Sequence, residues 1–395
     1  MKRLFAVLLV AALVMGGAFA QLSFNVQVAS ELWGTNGFKF APNMQGTAGT
    51  ADDWGMTDSA TLFNLDYSTD KAGVSVDIRP VYNAKDGLNA NWGNAGNGLM
   101  VHQYSGWFKP IDMLKISMGT NVAVSVFGAD EMRWNCLGAR AGEVCGIAAE
   151  LTPIDGLYIG YVLEQCGEDI DKTKMGAAAS YNIGGVGNFG VQWTTGDYSF
   201  DLDGDNGPLP KIESGKGIDG KIMALGVGAD LAIVDGLRIK PVYTIALDNN
   251  DNGLDPMHKI DLFLAWGNGP FSIKLLERAL VRTYDMEGDD KYSNFGNIVK
   301  AEVNYAVTDA VSVNLKAAWG MNVGKGDTGN GDWSGIAYWD PTKCLKGNNM
   351  SVYLSVPVAF DAGVTVVPGF LLKFDSEAED DKATWSIPLA LKYSF

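Results

Sequence analysis

The sequence predicts an all-β chain: one antiparallel β-barrel that crosses a membrane with strands. Three observations carry this reading: stretches of alternating polarity, short turns that recur along the chain, and long polar loops between them. Beyond residue 20 no segment reaches the ~18 uninterrupted apolar residues of a membrane helix. Yet 47% of the 395 residues are hydrophobic, with 49 glycines, 11 tryptophans and 14 tyrosines. Strands with one oily and one wet face produce that composition without long apolar runs.

The first element is a leader. Lys2 and Arg3 are followed by an apolar run from Leu4 to Met15 and by Ala18-Phe19-Ala20, the pattern of a secretory signal cut before Gln21. Export is therefore expected, with residues 21–395 forming the barrel as a single domain.

The turns come next. KPIDMLKI (109–116), TPIDGLYI (152–159), AIVDGLRI (232–239), AVTDAVSV (306–313) and AFDAGVTV (359–366) resemble one another. Each ends an apolar run, sets an aspartate in a turn and starts a new alternating strand. Asp112, Asp155, Asp235, Asp309 and Asp361 suit the turn, because an Asx side chain bonds the backbone two residues on. STDKAG (68–73), NIGGVG (182–187) and GNGP (267–270) complete a series of eight tight connections. The segments between these hairpins are mostly long, acidic and rich in Gly, Asn and Asp, as in 41–59, 201–217 and 324–335. Short turns at one end and long loops at the other are the asymmetry of a transmembrane barrel.

The strands follow the period of two. Val311, Val313, Leu315, Ala317 and Trp319 share a face opposite Ser312, Asn314, Lys316 and Ala318. The stretch 351–360 alternates likewise. Aromatics close several apolar rows: Trp107, Trp193, Trp266, Trp319 and Tyr305 are expected in girdles at the bilayer boundary. One strand before the first long loop, two around each turn and one after the last loop make about 18 strands. A miscount at 21–31 or 221–231 would leave about 16.

The last stretch, SIPLALKYSF (386–395), alternates to its final residue, with Trp385, Ile387, Leu389, Leu391, Tyr393 and Phe395 on one face. Pairing with the first strand would hold it, since a barrel in lipid leaves no open edge. The leader, the hairpin repeat and this ending together resemble the bacterial outer-membrane porins, and the glycine- and tryptophan-rich style is similar to spirochaetal members. The resemblance implies an outer-membrane location among its lipids, Tyr393 and Phe395 as an assembly signal read by the outer-membrane assembly machinery, and association into homo-oligomers such as trimers.

A barrel of this width encloses water. Inward positions include Arg79, Lys115, Lys174, Arg238, Lys240, Lys274, Lys300, Lys316 and Lys392, set against Asp66, Asp77, Glu150, Asp230, Asp261 and Glu302. Rings of charge tune ion selectivity, and this wall has a cationic surplus; any one lysine could equally be a solvated wall charge. Porins often narrow the lumen with their third long loop, here 121–143. The resemblance makes Asp130, Glu131, Arg133 and Arg140 candidates for a constriction, against the plain alternative of an outward surface loop. Cys136, within that loop, and Cys145, just after it, could form a local disulfide in an oxidising envelope; free thiols are the other reading. Asp201, Asp203 and Asp205 imitate the start of a calcium loop. Gly207 is not at the sixth position and Ile212 at the twelfth cannot ligate, so an acidic loop is expected there and no metal or cofactor.

The formal charge of −16 disfavours nucleic acid. Of the two histidines, His102 falls in a strand and His258 at a loop rim, and neither belongs to a catalytic motif. The expected function is a non-enzymatic, water-filled channel for passive diffusion of small hydrophilic solutes and ions. The alternatives are a substrate-specific channel for sugars or apolar solutes, and a structural or adhesive protein acting through its loops.

Overall fold

Alternating polarity becomes extended backbone along the chain. The computed structural model describes residues 20–35, 37–38, 62–81, 98–120, 122, 124, 126–127, 146–164, 175–200, 218–248, 256–285, 291–324, 347–360, 363–376, 378 and 382–394. Strands β1 (Ala20–Gly34), β2 (Gly37–Phe38), β3 (Leu62–Ser68), β4 (Ala72–Val81), β5 (Gly98–Ile111) and β6 (Leu114–Gly119) come first. Next are β7 (Gly146–Leu151), β8 (Leu157–Glu164), β9 (Met175–Ile183), β10 (Gly187–Phe200), β11 (Ile218–Val234), β12 (Leu237–Asp248) and β13 (Met257–Asn268). The series ends with β14 (Phe271–Asp285), β15 (Lys291–Ala306), β16 (Ser312–Gly324), β17 (Gly347–Ser355), β18 (Val358–Ala359), β19 (Val364–Asp375) and β20 (Ala383–Ser394).

All 20 strands belong to one sheet, and every pairing is antiparallel to a neighbour in sequence or across the seam. Two of them are only two residues long. β2 folds back on the end of β1, and β18 continues β17 beyond Val356-Pro357, where proline has no N–H for the ladder. The other 18 form the wall, the larger of the two expected counts. The eight expected turns fall between the described strands, from 69–71 to the connection after Ala359, where Asp361 lies outside the described residues. One of the intervening connections, 286–290, is as short as the turns themselves.

The turn chemistry differs from expectation in one respect. In 307–311 the backbone amides of Ala310 and Val311 donate to Thr308 Oγ1, not to Asp309. Thr69 plays the same role for Lys71 and Ala72. Threonine hydroxyls form the same local turn as Asx side chains, so the residue before the aspartate does the bonding. Asp112 instead joins two turns through Lys71. The Lys71 ammonium, hydrogen-bonded to it, holds the Asp112 carboxyl below the usual carboxylate range. The tie is thus complete above that range and is lost as pH falls through the lowered pKa. Glycine is required at Gly236, where φ is +73° and an added Cβ would lie 2.5 Å from the Gly267 carbonyl oxygen near the end of β13.

The seam also departs from simple edge-to-edge closure. Ala20–Asn25 of β1 pair with β3, whereas Asn25–Gly34 pair with β20. Asn25 alone is matched on both sides, so the described residues give a staggered join instead of one zipped along the whole strand. The stagger arises because β20 reaches β1 only as far as Ser394, opposite Asn25. With the four native cysteines replaced by serine, Ala29→Cys combined with Ala390→Cys should form an intramolecular disulfide, since these positions face each other in register. A compact, reductant-sensitive electrophoretic band would report it; absence of that band in the folded protein would contradict this register.

Side chains sort by face as the alternation requires. Ile387, Leu391 and Tyr393 of β20 are exposed on the outside, while Ser386 and Ala390 are buried on the inside. Trp193, Trp266, Trp319 and Tyr305 lie on the outer face as expected. Trp107 does not. It stands opposite Ser117, which shares the inner face with Lys115, and Lys115 Nζ lies 6.0 Å from its ring centroid. A register shift between Phe108 and Ile111 adds a residue and changes which face the alternation reaches.

Candidate functional site: the lumen and its third loop

The inner wall has two unlike halves. From β7 to β11 many inward positions are small: Gly160, Ala178, Ser180, Gly190, Gly226 and Gly228 lie in adjoining rows, with Glu150, Tyr158, Gln192 and Asp230 among them. From β12 to β19 they carry charge. One row across neighbouring strands reads Arg238, Ala265, Lys274, Glu302, Lys316 and Tyr353. The row beside it holds Lys240, Phe263, Leu276, Lys300 and, further on, Lys373. Successive inward positions on antiparallel strands stack into such rows because cross-strand partners share a face.

Most expected wall charges are therefore brought together, and in pairs. Lys115 Nζ lies 2.7 Å from Glu150 Oε2, and Tyr158 Oη donates to Glu150 Oε1 at 3.3 Å. Arg238 grips Asp230 with two hydrogen bonds, at 2.7 and 2.5 Å. Lys240 is buried 5.4 Å from the Phe263 ring centroid and 3.9 Å from Asp230. Lys316 is 3.4 Å from Glu302. Lys300 is buried on β15, Lys274 lies in register with Glu302, and Asp77 lies on the inner face of β4. Arg79 is in β4, with its side chain outside the described residues. Lys174, Asp130, Glu131, Arg133, Arg140, Cys136, Cys145, Asp201, Asp203, Asp205 and Phe395 also lie outside them. Tyr393 pairs with Val26 and Val364.

Two features of the lumen were not anticipated. The first is a buried charge cluster: Arg278 bonds Asp261 through Nε, and Lys259 Nζ stands 3.4 Å from the other carboxylate oxygen. Arg278 and Asp261 are each 1% exposed. Counting in twos from Lys274 would have found Arg278, but Leu276 between them interrupts the polar pattern. The second is apolar. Val122, Val124, Val126 and Phe127, at the start of the third long loop, are buried in one group with Ala148, Val162, Ala178, Val242, Phe263 and Leu276. These partners face inward from β7–β9 on one side and β12–β14 on the other. The start of the loop therefore lies inside the lumen and bridges the glycine-rich wall to the charged wall.

The glycines explain how it fits. A Cβ on Gly160 would sit 2.8 Å from Val124 Cγ1, and one on Gly190 would sit 2.7 Å from Val126 Cγ2. Bare backbone at these two positions provides the depth into which the valines pack. On the turn side of the segment a cavity of about 310 Å³ remains, lined by Val126, Tyr158, Ser180, Asn182 and Asn188 among others. His258 takes no part in the lumen: it faces outward on β13, stacked against Tyr243, whose Oη is 2.7 Å from His258 Nδ1.

No family model matches the sequence, and no curated protein matches it. Solved structures do match. The outer membrane protein OpdK from Pseudomonas aeruginosa superposes with a TM-score of 0.53 at 10% identity, over 95% of this chain and 97% of that one. OccD3 (OpdP) of the same organism gives a TM-score of 0.50 at 9% identity, over 96% and 91%. A porin gives 0.46 at 12% identity, over 95% and 100%. At these identities the likeness concerns the fold, and the chain has the antiparallel barrel fold of outer-membrane proteins.

Proposed function

We propose that this chain forms a water-filled channel in a bacterial outer membrane, reached after removal of residues 1–20, and passes small hydrophilic solutes and ions by diffusion. The observation that carries the proposal is the wall itself. Eighteen long strands present apolar side chains outward and rows of paired charges inward. A barrel of 16–18 strands is wider than its own side chains can fill, and ion pairs on an inner wall suit contact with water far better than a dry core.

Val122, Val124, Val126 and Phe127, buried inside the barrel, are read as the narrowing of this space. Solutes pass between it and the charged wall. Cations outnumber carboxylates on β12–β19, which favours small anions over cations of the same size. Lys316→Glu, on the partly exposed row of the wall, should lower the anion-to-cation permeability ratio without closing the channel, and the reversal potential under a salt gradient would show it. A reversal potential unmoved by the substitution would mean that this row does not line the conducting path.

Liposome swelling with uncharged sugars of graded size tests the diffusion reading. Rates that fall smoothly with size support it. Rapid entry of one sugar alone would favour a substrate-specific channel, the reading that the bridged lumen makes second. No permeation from folded protein would refute both.

A further inference from the structure

The small-residue wall holds a polar hollow that the charged rows do not explain. On the turn side of the buried loop segment, a cavity of about 310 Å³ is lined by Val126, Gly156, Tyr158, Ser180, Asn182 and Asn188. Its volume lies at the small end of ligand pockets, which run from about 300 Å³ upward. That is room for one solute of sugar-ring size.

The lining is built to hold hydroxyl groups. Asn182 and Asn188 are partners in register on β9 and β10, so their side chains stand side by side. Ser180 lies two positions along β9 on the same face. Each amide both donates and accepts hydrogen bonds, and so does the serine hydroxyl. Tyr158 adds a ring held by its hydroxyl bond to Glu150, and Val126 adds apolar surface. The floor is pinned as well, because the Asn182 backbone N–H donates to the Gly156 carbonyl at 2.8 Å. Groups already held in place lose little freedom when a ligand arrives.

Charge is absent from the described lining. Carboxylates stand on both sides, but each is engaged by a cation. Glu150 lies 2.7 Å from Lys115 Nζ, and Asp230, in register with Asn188, takes two hydrogen bonds from Arg238. A charged ligand would lose water here without gaining a countercharge, which is costly. A neutral polyol meets no such penalty. Its hydroxyls donate and accept like the groups around them, and its carbon skeleton covers the Tyr158 ring and Val126.

Resting on the channel reading above, we infer that this hollow is a subsite for a neutral monosaccharide, on the turn side of the constriction. Small ions follow the charged wall of β12–β19, whereas a neutral sugar is held briefly against the small-residue wall.

Saturation-transfer NMR on the folded full chain in detergent, titrated with glucose, reads this binding without any need for conduction. The compact electrophoretic band checks the folding of each form. Glucose should bind with a Kd of about 1 mM, the strength of a few hydrogen bonds with modest apolar cover. Glucuronate and glucosamine, equal in size but charged, should bind at least about tenfold more weakly. Asn182→Leu and Asn188→Leu should each weaken glucose binding about fivefold, as expected for one or two lost hydrogen bonds. Asn188→Gln keeps the amide and should retain more binding than Asn188→Leu. A glucose signal no stronger than that of heat-unfolded protein would overturn the inference. So would equal binding of the charged sugars, or glucose binding indifferent to both leucine variants. Bilayer currents recorded in parallel separate this inference from the reading beneath it. Steady channels from protein that binds no glucose sink the subsite alone, and silent bilayers from protein that binds glucose as expected sink the channel alone.

Discussion

Replacing Val124 and Val126 together with aspartate should raise unit conductance severalfold while leaving the barrel folded. Both valines are buried in the apolar group that ties the third loop to the walls, at 2% and 8% exposure. Each buried valine is worth about 1.5–3 kcal/mol, and an unpaired buried carboxylate costs more than that again. Two buried carboxylates outweigh what Val122 and Phe127 still contribute, so the segment moves into the loop region, which frees the middle of the lumen. The strands lose little, because their ladders do not involve these residues. A second route reaches the same end from the wall. Gly160→Val and Gly190→Val place atoms where Val124 and Val126 now pack; they should also raise conductance. If both routes leave conductance unchanged while protease access shows the loop displaced, this segment does not limit flow.

Arg278→Met should lower barrel stability by about 3–5 kcal/mol, the cost of leaving a buried charge without its partner. Asp261 is 1% exposed and would keep Lys259, 3.4 Å away, which places the effect toward the lower end. Adding Asp261→Leu should recover most of the loss, because removing both charges also removes the penalty of burying them. The urea midpoint of the shift between the compact and heat-unfolded electrophoretic forms measures this. A double variant as unstable as the single one would show that the cluster does more than balance its own charges.

The architecture was legible because each of its parts has a local cause. Alternation fixes strand and face, and the turn motifs fix where one strand gives way to the next, which is why eight turns and 18 long strands agree with the sequence. Face assignment failed where a local irregularity intervened: Trp107 follows the alternation only until β5 gains a residue beside Ile111. The loop segment was harder. Val122, Val124 and Val126 alternate like a wall strand, and nothing local says that they pack inside the barrel. The complementary signal is the run of glycines on β8–β11, which in isolation reads as weak strand. Only the three-dimensional register sets Gly160 and Gly190 under the two valines.

A channel is tested most directly by the unit conductance of purified, folded protein in a planar lipid bilayer. Stepwise, ohmic increments of uniform size are expected, and they should grow when Val124 and Val126 become aspartate. A bilayer that stays tight and silent, with protein whose Ala29→Cys/Ala390→Cys counterpart has formed its cross-link, would show a folded barrel that conducts nothing and would contradict that expectation.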